Sequence, residues 1–207
     1  MILVLDLCYE MNSLSEYEFV HPIVETLKRS GFRLEVMHYK AMNKGMHRGM
    51  QKAMHCKENG TNEVDMDELE NFSRIILCGT ASKDNVYAEQ LDFFHWIRDW
   101  KKPVLGICAG MQVIGRVFGG NIVLQPAIGL EKIDILEDSA LMGERREIEG
   151  YHLHNYGVTL PDRFRLLAGS PTRVEAFCHE ELPIYGIIFH PEVRNRWILD
   201  RFARLEY

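Results

Sequence analysis

The feature that most constrains the fold is a short stretch in the middle of the chain. An apolar run over residues 104–107 ends at Cys108, and Gly106 and Gly110 stand two positions to either side. Beyond the cysteine, apolar residues recur at helical spacing until a pair of glycines ends the pattern. We therefore expect a buried strand, a sharp turn that carries the cysteine, and a helix. With serine at the turn, this arrangement is the nucleophile elbow G-x-S-x-G.

Steric constraints explain the two glycines at such a turn. A nucleophile on so tight a corner has a strained backbone, and side chains at Gly106 or Gly110 would collide with the strand or the helix. The N–H groups at the start of the helix favour a thiolate and an oxyanion beside it. A lone cysteine is nevertheless more often a core residue than a nucleophile, so the interpretation needs support from elsewhere in the chain.

That support comes from a second apolar run, residues 184–190, which ends in His190. Glu192 follows two positions later. In an extended chain, residues i and i+2 face the same way, roughly 7 Å apart, so Glu192 can accept a hydrogen bond from one imidazole nitrogen while the other faces Cys108. The three residues would supply a nucleophile, a base and a group that orients the base.

These residues together resemble a known family. Residues 106–112 match the G-x-C-x-G-x-Q pattern of the class I (triad) glutamine amidotransferases, and residues 190–192 match its H-P-E segment. The resemblance runs over nearly the whole chain in the family's order. It implies that Cys108 attacks the carboxamide of glutamine, that His190 carries protons and that Glu192 orients the imidazole. It implies no cofactor.

The resemblance also implies an oxyanion hole, which stabilises the negative oxygen formed during attack. One donor is the N–H of Ala109, which follows the nucleophile. The second comes from the loop after the third strand, at Gly79 and Thr80. The family usually has Gly-Gly-Pro where this chain has Gly79-Thr80-Ala81. A main-chain donor survives a change of side chain, so the departure does not exclude activity.

The resemblance also implies contacts with the substrate at two further places in the chain. Gln112 matches the family's glutamine four residues after the nucleophile, and residues 151–156 resemble a segment whose backbone holds the amino-acid end of the substrate. Within that segment, Asn155 and Tyr156 are the candidates for backbone contacts. The segment's two histidines have no third ligand indicated, so we expect no metal site.

The remaining pattern predicts an α/β fold. A strand over residues 2–7, a helix over 19–30 and a strand over 32–39 indicate a parallel pair. The fold class expected is an open, mostly parallel sheet flanked by helices, of the flavodoxin-like kind that class I amidotransferases share, with a small antiparallel subsheet. Further elements are expected at residues 8–15 (loop), 65–71 (helix), 74–78 (strand), 86–100 (helix), 121–125, 131–136, 150–159, 165–168, 174–179 and 184–190 (strands). A last helix is expected from Asn195 onwards, with Asn195 as its N-cap.

Composition limits the function classes. The 207 residues suit one domain, 1–207, and contain 46% hydrophobic and 26% charged residues. The formal net charge of −6 speaks against a nucleic-acid surface. No apolar run is long enough to span a membrane and no signal peptide is indicated. The five cysteines are odd in number and scattered, which suggests a reducing cytoplasm rather than a disulfide scaffold.

Residues 41–62 are a candidate insertion rich in methionine. Four methionines fall four apart on a helical pattern, and so do three basic residues; the methionines are Met42, Met46, Met50 and Met54. The segment is either a surface helix or loop that lies on the domain, or a docking surface for a partner protein. His47, His55 and Cys56 lack the spacing of a metal site.

Three functions remain open at this point. The first is a glutaminase subunit that passes ammonia to a partner synthase, because no ATP-binding P-loop and no second domain are found in these residues. The second is a γ-glutamyl hydrolase or peptidase that needs no partner. The third is a non-catalytic regulatory protein on the same fold, against which Cys108, His190 and Glu192 speak.

Overall fold

The computed structural model describes residues 1–10, 12–42 and 66–207, without the side chains of residues 67 and 68. Of the methionine-rich segment, only residues 41 and 42 are described, and the Met42 side chain is buried. Both hypotheses for that segment therefore concern residues outside the described part of the chain.

Nine strands and six α-helices make up the described elements. The strands are β1 (Ile2–Asp6), β2 (Leu34–His38), β3 (Arg74–Leu77), β4 (Val104–Ile107), β5 (Ile122–Asp134), β6 (Glu147–Val158), β7 (Phe164–Ser170), β8 (Arg173–His179) and β9 (Ile184–Ile187). The helices are α1 (Leu14–Phe19), α2 (His21–Arg29), α3 (Met66–Leu69), α4 (Val86–Glu89), α5 (Ala109–Val117) and α6 (Arg196–Arg204). Two 3-10 helices cover Tyr39–Ala41 and Leu91–Arg98.

Seven of the strands form one sheet, in the order β2-β1-β3-β4-β9-β8-β7. The first five strands in that order run parallel, and β8 and β7 add an antiparallel edge. β5 and β6 pair with each other in a separate antiparallel ribbon. The predicted fold class, an open and mostly parallel α/β sheet with a small antiparallel subsheet, is confirmed.

The strand order determines where the candidate site lies. β4 and β9 are far apart in sequence but adjacent and parallel in the sheet, with Ile107 opposite Ile187. The carboxyl ends of parallel strands meet at one edge of a sheet, where open α/β proteins bind their ligands. The residues that follow β4 and β9 therefore come together at that edge.

Hydrophobic burial on both faces holds the sheet in place. All five residues of β1 and all four of β4 are buried, as expected for parallel strands covered on both sides. Helix α5 packs its apolar residues into the core cluster on one face of the sheet, while α2 and α6 contribute to the cluster on the other. None of the helices in the described residues is long and apolar enough to cross a membrane.

Three local predictions need correction. The segment 8–15 is not all loop, because α1 begins at Leu14 with the Ser13 hydroxyl accepting from the N–H of Glu16 at 3.4 Å. The predicted helix 86–100 is a single α-turn followed by a 3-10 helix. Asn195 stands at the N-cap of α6, but its side chain does not cap the helix. Instead its amide donates to the carbonyl of Glu149 at 2.7 Å, which ties the helix to β6.

Candidate active site

Cys108 occupies the turn between the end of β4 and the start of α5. Its backbone has φ +50° and ψ −103°, a conformation that a side chain-bearing residue adopts only under strain. A Cβ on Gly106 would lie 2.4 Å from the carbonyl carbon of Gly110, and a Cβ on Gly110 would lie 2.3 Å from the carbonyl oxygen of Leu77. Both positions therefore require glycine, as the elbow motif predicts.

His190 reaches the same edge of the sheet from β9. The main-chain N–H of Cys108 donates to the carbonyl of Ile187 at 2.8 Å, and that of His190 donates to the carbonyl of Tyr151 at 2.8 Å. The first bond fixes the elbow to β9, and the second fixes the end of β9 to the ribbon strand β6. His190 is thus held by β6, which is remote from it in sequence, and β9 just before it is bonded to the elbow.

The imidazole and the carboxylate that follows it form a buried pair. Nδ1 of His190 lies 2.8 Å from Oε1 of Glu192, and each residue is 1% exposed. Burial disfavours a charge on the ring, but the carboxylate of Glu192 and the sulfur of Cys108 outweigh burial and raise the pKa of His190 to about 10. Nε2 of His190 and Oε2 of Glu192 have no hydrogen-bond partner among the described residues.

A turn, rather than extended chain, brings the pair together. The N–H of Val193 donates to the carbonyl of His190 at 3.2 Å, which closes a four-residue turn with Pro191 at its second position, where proline is favoured. The sequence argument that placed residues i and i+2 on one face of a strand was therefore wrong about the cause, although the two side chains do meet.

Gly79 marks the point where the nucleophile and the histidine converge. A Cβ built on Gly79 would lie 2.9 Å from Cε1 of His190 and 3.4 Å from Cβ of Cys108. Both side chains therefore border the space beside this glycine. The structure brings Cys108, His190 and Glu192 into one cluster at the carboxyl edge of the sheet.

The main-chain donors expected for an oxyanion hole border the same space. Ala109 is the first residue of α5, so its N–H has no acceptor within the helix. In the described part of the chain, no hydrogen bond uses the N–H of Gly79 or Thr80. The hydroxyl of Thr80 donates to Oδ2 of Asp84 at 2.8 Å, which holds the loop where this chain departs from Gly-Gly-Pro.

Gln112 is buried beside the nucleophile, and both ends of its side chain are bonded. Its Oε1 accepts from the hydroxyl of Tyr87 at 2.7 Å, and its Nε2 donates to the carbonyl of Tyr156 at 2.8 Å. The amide of Asn155 donates to the carbonyl of Ser82 at 3.1 Å. These bonds connect α5, the loop after β3 and the end of β6 around one pocket.

The pocket over Cys108 is narrow. Its cavity volume is about 10 Å³, room for roughly one water molecule. The lining residues come from the loop after β3, the start of α5 and the end of β6: Thr80, Ala81, Ser82, Asp84, Asn85, Tyr87, Cys108, Ala109, Gln112, Leu153, His154, Asn155 and Tyr156. A substrate of the size of glutamine must widen this pocket to bind.

Several pocket residues were not found from the sequence, among them Tyr87, Asp84 and His154. Tyr87 lies in a stretch whose aromatic residues indicate core packing, and Asp84 belongs to no motif. His154 was considered only as a metal ligand. The described residues contain no group of three or more His, Cys, Asp or Glu that could hold a metal ion. One sequence signal could have indicated Asp84 and Tyr87: both follow shortly after the third strand, whose carboxyl end lies at the site.

A second buried His–carboxylate pair lies behind the pocket. Nε2 of His152 lies 2.8 Å from Oε2 of Glu175, and both side chains are almost fully buried. Glu175 also accepts from Nε of Arg173 at 2.8 Å. The pKa of Glu175 is lowered, because hydrogen bonds and charge from His152 and Arg173 outweigh the opposing effect of burial. The pair links the ribbon strand β6 to β8 of the main sheet.

The fold and this cluster define a protein with a cysteine nucleophile on an open α/β sheet. The sequence model of the class I glutamine amidotransferases matches residues 14–198. The chain therefore belongs to the class I glutamine amidotransferase family, and the resemblance seen in the sequence is confirmed.

Individual relatives carry a more specific name. The glutamine-hydrolysing GMP synthase subunit of Pyrococcus furiosus is 36% identical over 155 residues, 70% of this chain and 82% of that protein. The protein of the same name from Thermoplasma acidophilum is 34% identical over 140 residues, 65% of this chain and 70% of that protein.

Solved structures agree with the fold. A crystal structure of a GMP synthase subunit from Thermoplasma acidophilum matches with a TM-score of 0.74 at 25% identity, over 98% of this chain and 92% of that one. A glutamine amidotransferase from Thermotoga maritima matches with a TM-score of 0.62 at 17% identity, over 99% of this chain and 84% of that one. The second likeness supports the fold alone.

Proposed function

We propose that this protein hydrolyses glutamine to glutamate and ammonia at Cys108 and passes the ammonia to a partner synthase. Membership of the family supports the reaction class. The observation that carries the proposal is the meeting of Cys108 and the His190–Glu192 pair beside Gly79, at the carboxyl edge of the sheet.

The first half of the reaction makes a thioester. The Cys108 sulfur, as thiolate, attacks the carboxamide carbon of glutamine, and the carbonyl oxygen becomes an oxyanion. The protonated imidazole of His190 gives its proton to the departing nitrogen, the C–N bond breaks, and ammonia leaves. The raised pKa of His190 supports this step, because it keeps the ring protonated at neutral pH while the thiolate is present.

The second half releases glutamate. His190, neutral after the first half, takes a proton from water as that water attacks the thioester carbon. The C–S bond breaks, and the sulfur leaves as thiolate beside the imidazolium, which restores the starting state. Glu192 holds Nδ1 of the ring, so that Nε2 is the nitrogen that exchanges protons.

The free main-chain donors near the nucleophile are suited to the oxyanion. We assign this role to the N–H of Ala109, at the start of α5, together with that of Gly79 or Thr80, on the loop after β3. Loss of one such donor typically raises the barrier by about 3 kcal/mol. Gln112 is assigned to the substrate pocket, with Asn155 and Tyr156 offering backbone contacts to the amino-acid end of glutamine.

An exposed apolar strip supports a partner protein. Ile128 and Leu130 share one face of β5 and are 76% and 53% exposed. Ile128 lies opposite Leu153, which lines the nucleophile pocket. Ammonia released at Cys108 would emerge beside this strip. The name of the relatives makes a GMP synthase the first ammonia acceptor to test.

The cytoplasm is the compartment we propose. Cys8, Cys78, Cys108 and Cys178 are all free and buried. Free thiols persist in reducing compartments. A Cys108 thiolate also depends on such an environment, since oxidation would inactivate it.

Replacement of the nucleophile tests the reaction. Cys108→Ala should fold normally and release no glutamate or ammonia from glutamine, whereas Cys178→Ala, which removes a buried thiol on β8, should retain activity. An electrophilic analogue of glutamine should label the native chain at Cys108 only. Ammonia release by Cys108→Ala would refute the proposal. Turnover of γ-glutamyl amides without turnover of glutamine would instead support the γ-glutamyl hydrolase, and no turnover or labelling would support a regulatory protein.

A substitution in the apolar strip tests whether the strip binds the partner synthase. Ile128→Asp should weaken co-purification with the synthase and lower the ammonia-dependent amination of its substrate. Glutamine hydrolysis by the isolated chain should be unchanged, because Ile128 does not line the pocket. Leu14→Asp, at another exposed apolar residue, is the matched control and should leave the complex intact.

A further inference from the structure

The buried His152–Glu175 pair is bonded to the strand end that carries His190. Nε2 of His152 lies 2.8 Å from Oε2 of Glu175. The residue before His152 is Tyr151, whose carbonyl accepts from the main-chain N–H of His190 at 2.8 Å. The carbonyl of Glu175 accepts from the N–H of Ile188 at 2.9 Å. The pair thus closes a ring of bonds that runs through β6, β8 and residues 188–190.

The imidazole of His152 also packs against this strand end. It is fully buried and lies edge-on to Phe189, the residue before His190, with the ring centroids 6.1 Å apart. A Cβ on Gly150 would lie 3.0 Å from Cγ of Phe189, so the main chain of the ribbon is in close contact with the same side chain. Among the described strands, β6 pairs only with β5. Its position against residues 188–190 therefore depends on contacts of this kind.

Glu175 is held from a second side, which fixes the direction of its carboxylate. Its Oε1 accepts from Nε of Arg173 at 2.8 Å, and Arg173 is also paired with Glu131 on β5. Burial opposes a charge on Glu175, but hydrogen bonds and charge from His152 and Arg173 lower its pKa, so the carboxylate stays ionised. Hydrogen bonds to an ionised group are short and strong. They therefore hold β6 against β8 at a defined spacing.

Stability alone does not account for an ionised pair at this place. A buried ion pair adds little net stability, because the cost of removing both charges from water offsets their attraction. Apolar side chains of similar volume would hold the two strands together as firmly. A defined spacing between the two main chains is what the pair adds, and that spacing sets the position of the Tyr151 carbonyl to which the main chain of His190 is bonded.

We propose that His152 and Glu175 are positioning residues for His190. They hold the ribbon so that the carbonyl of Tyr151 fixes the imidazole beside Cys108. The assignment rests on the proposed hydrolysis of glutamine and adds two residues to it, neither of which lines the pocket over the nucleophile. Nε2 of His190 must reach both the sulfur and the leaving nitrogen, and a displacement of about 1 Å in such a group can lower the rate about 10²-fold.

The kinetics of three variants at His152 test the proposal. His152→Leu removes the bond to Glu175 and should lower kcat and kcat/KM by a similar factor, about ten- to a hundredfold. His152→Gln can place its amide nitrogen near the position of Nε2, donate to Glu175 and restore most of the rate. Should His152→Leu fold poorly, His152→Phe keeps the ring contact with Phe189 and gives the same comparison. Full activity in a folded His152→Leu or His152→Phe would overturn the proposal.

His179 provides the matched control, because it is a buried histidine on the same strand as Glu175 but at the other end of that strand. It is 7% exposed, and its Nδ1 accepts at 3.0 Å from two main-chain N–H groups in the turn after β8. β8 runs antiparallel to β9, so this end of β8 lies at the edge of the sheet remote from Cys108. His179→Leu should lower the melting temperature and leave both kinetic constants unchanged. If His179→Leu and His152→Leu lose activity in the same proportion, the pair has only a structural role and the proposal is wrong.

NMR titration of His190 separates this proposal from that of glutamine hydrolysis, because it needs no substrate. Glu192 and the sulfur of Cys108 both raise the pKa of His190 against the effect of burial. Glu192 moves with the ring as part of the same turn, whereas the sulfur belongs to the elbow. His152→Leu should therefore lower the pKa of His190 in the native chain and leave it unchanged in Cys108→Ala.

The titration has distinct outcomes for the two proposals. A chain that hydrolyses no glutamine but shows this difference between the two backgrounds would contradict the proposed reaction and support the positioning pair. An unchanged pKa of His190 in His152→Leu, or an equal decrease with and without the Cys108 sulfur, would overturn the positioning pair alone.

Discussion

Nδ1 of His190 lies 2.8 Å from Oε1 of Glu192, and the turn at Pro191 brings the two side chains together. The pair is almost completely buried, so its charge interaction is weakly screened by solvent. Because Nδ1 is engaged by the carboxylate, Nε2 is the nitrogen left for the nucleophile and the leaving group. The turn after β9 thus determines both the tautomer of the ring and the direction in which it faces.

The two members of this pair should contribute unequally to catalysis. His190→Ala removes the proton carrier and should lower kcat by about 10²–10⁴-fold. Glu192→Ala removes only the orienting group and should lower kcat less. Steady-state glutamate release by the two variants gives the comparison. A larger loss in Glu192→Ala would mean that the carboxylate has a direct chemical role.

Glu192 should also set the protonation of the ring. The carboxylate is the larger of the two charges that raise the pKa of His190, so Glu192→Gln should lower that pKa. The imidazolium would then lose its proton at a lower pH, and the alkaline limb of the rate profile should move to lower pH. NMR titration of the ring nitrogens in both proteins measures the shift. A pKa that stays near 10 in Glu192→Gln would assign the effect to the sulfur of Cys108.

Gly79 should be essential for activity rather than for folding. Its Cβ would lie 2.9 Å from Cε1 of His190 and 3.4 Å from Cβ of Cys108, so Gly79→Ala must displace the ring or the nucleophile. Displacements of about 1 Å in a catalytic group can lower the rate 10²-fold. We expect a loss of that order in kcat, measured beside the melting temperature.

The matched control for this substitution is Gly31→Ala. Gly31 has φ +86° and nothing within 4 Å of the added methyl group. It should lose about 1–2 kcal/mol of stability from backbone strain and keep full activity. Full activity in Gly79→Ala would show that the histidine does not occupy the space beside Gly79 during the reaction.

The His152–Glu175 pair should be a major contributor to stability. Glu175→Ala leaves an unpaired histidine in a fully buried position, and breaking a buried pair in this way typically destabilises a protein by about 3–5 kcal/mol. Asp200→Ala, which breaks an exposed pair with Arg204 at 3.1 Å, should lose only about 0–1 kcal/mol. Urea denaturation of the two variants tests the contrast. Equal losses would mean that the attraction between His152 and Glu175 is cancelled by the cost of removing both groups from water.

The sequence predicted the elements with strong local patterns. The elbow at Cys108 was found because its glycines are required by contacts that any tight strand-to-helix turn creates, and the parallel strands were found from continuous apolar runs. The helix predicted over 86–100 was wrong because its aromatic residues satisfy packing without helical periodicity: Tyr87, Phe94 and Trp96 are buried from a short α-turn and a 3-10 helix.

The candidate site was predictable only where a motif marks it. His190 and Glu192 follow a strand directly, so their position could be inferred. Asp84 and His154 enter the pocket from elements that the sequence does not connect. The N–H of Tyr9, on the loop after β1, donates to Asp84, and β6, which carries His154, pairs with β5. Such placement depends on tertiary contacts, which no local pattern records.

His154 should make the protein less stable in mild acid. Its pKa is about 4 in the folded protein, against 6.5 as the ordinary value. Between these pH values the unfolded chain binds a proton that the folded chain does not, so the stabilisation is complete above pH 6.5 and is lost as the pH falls through 4. The difference corresponds to about 3–4 kcal/mol at most.

His154→Gln should remove this part of the pH dependence. Urea denaturation from pH 7.5 to 5 should show a smaller decrease in stability for His154→Gln than for the native chain. The lowered pKa of His179 acts in the same direction in both proteins, and the raised pKa of His190 acts in the opposite direction in both. Glu175 contributes only as the pH falls below its ordinary value of 4.5, so the difference between the two curves reports on His154. His95→Gln, at an exposed histidine, should follow the native curve. Parallel curves for the native chain and His154→Gln would show that the pKa of His154 is the same in the folded and the unfolded chain, so that burial does not lower it.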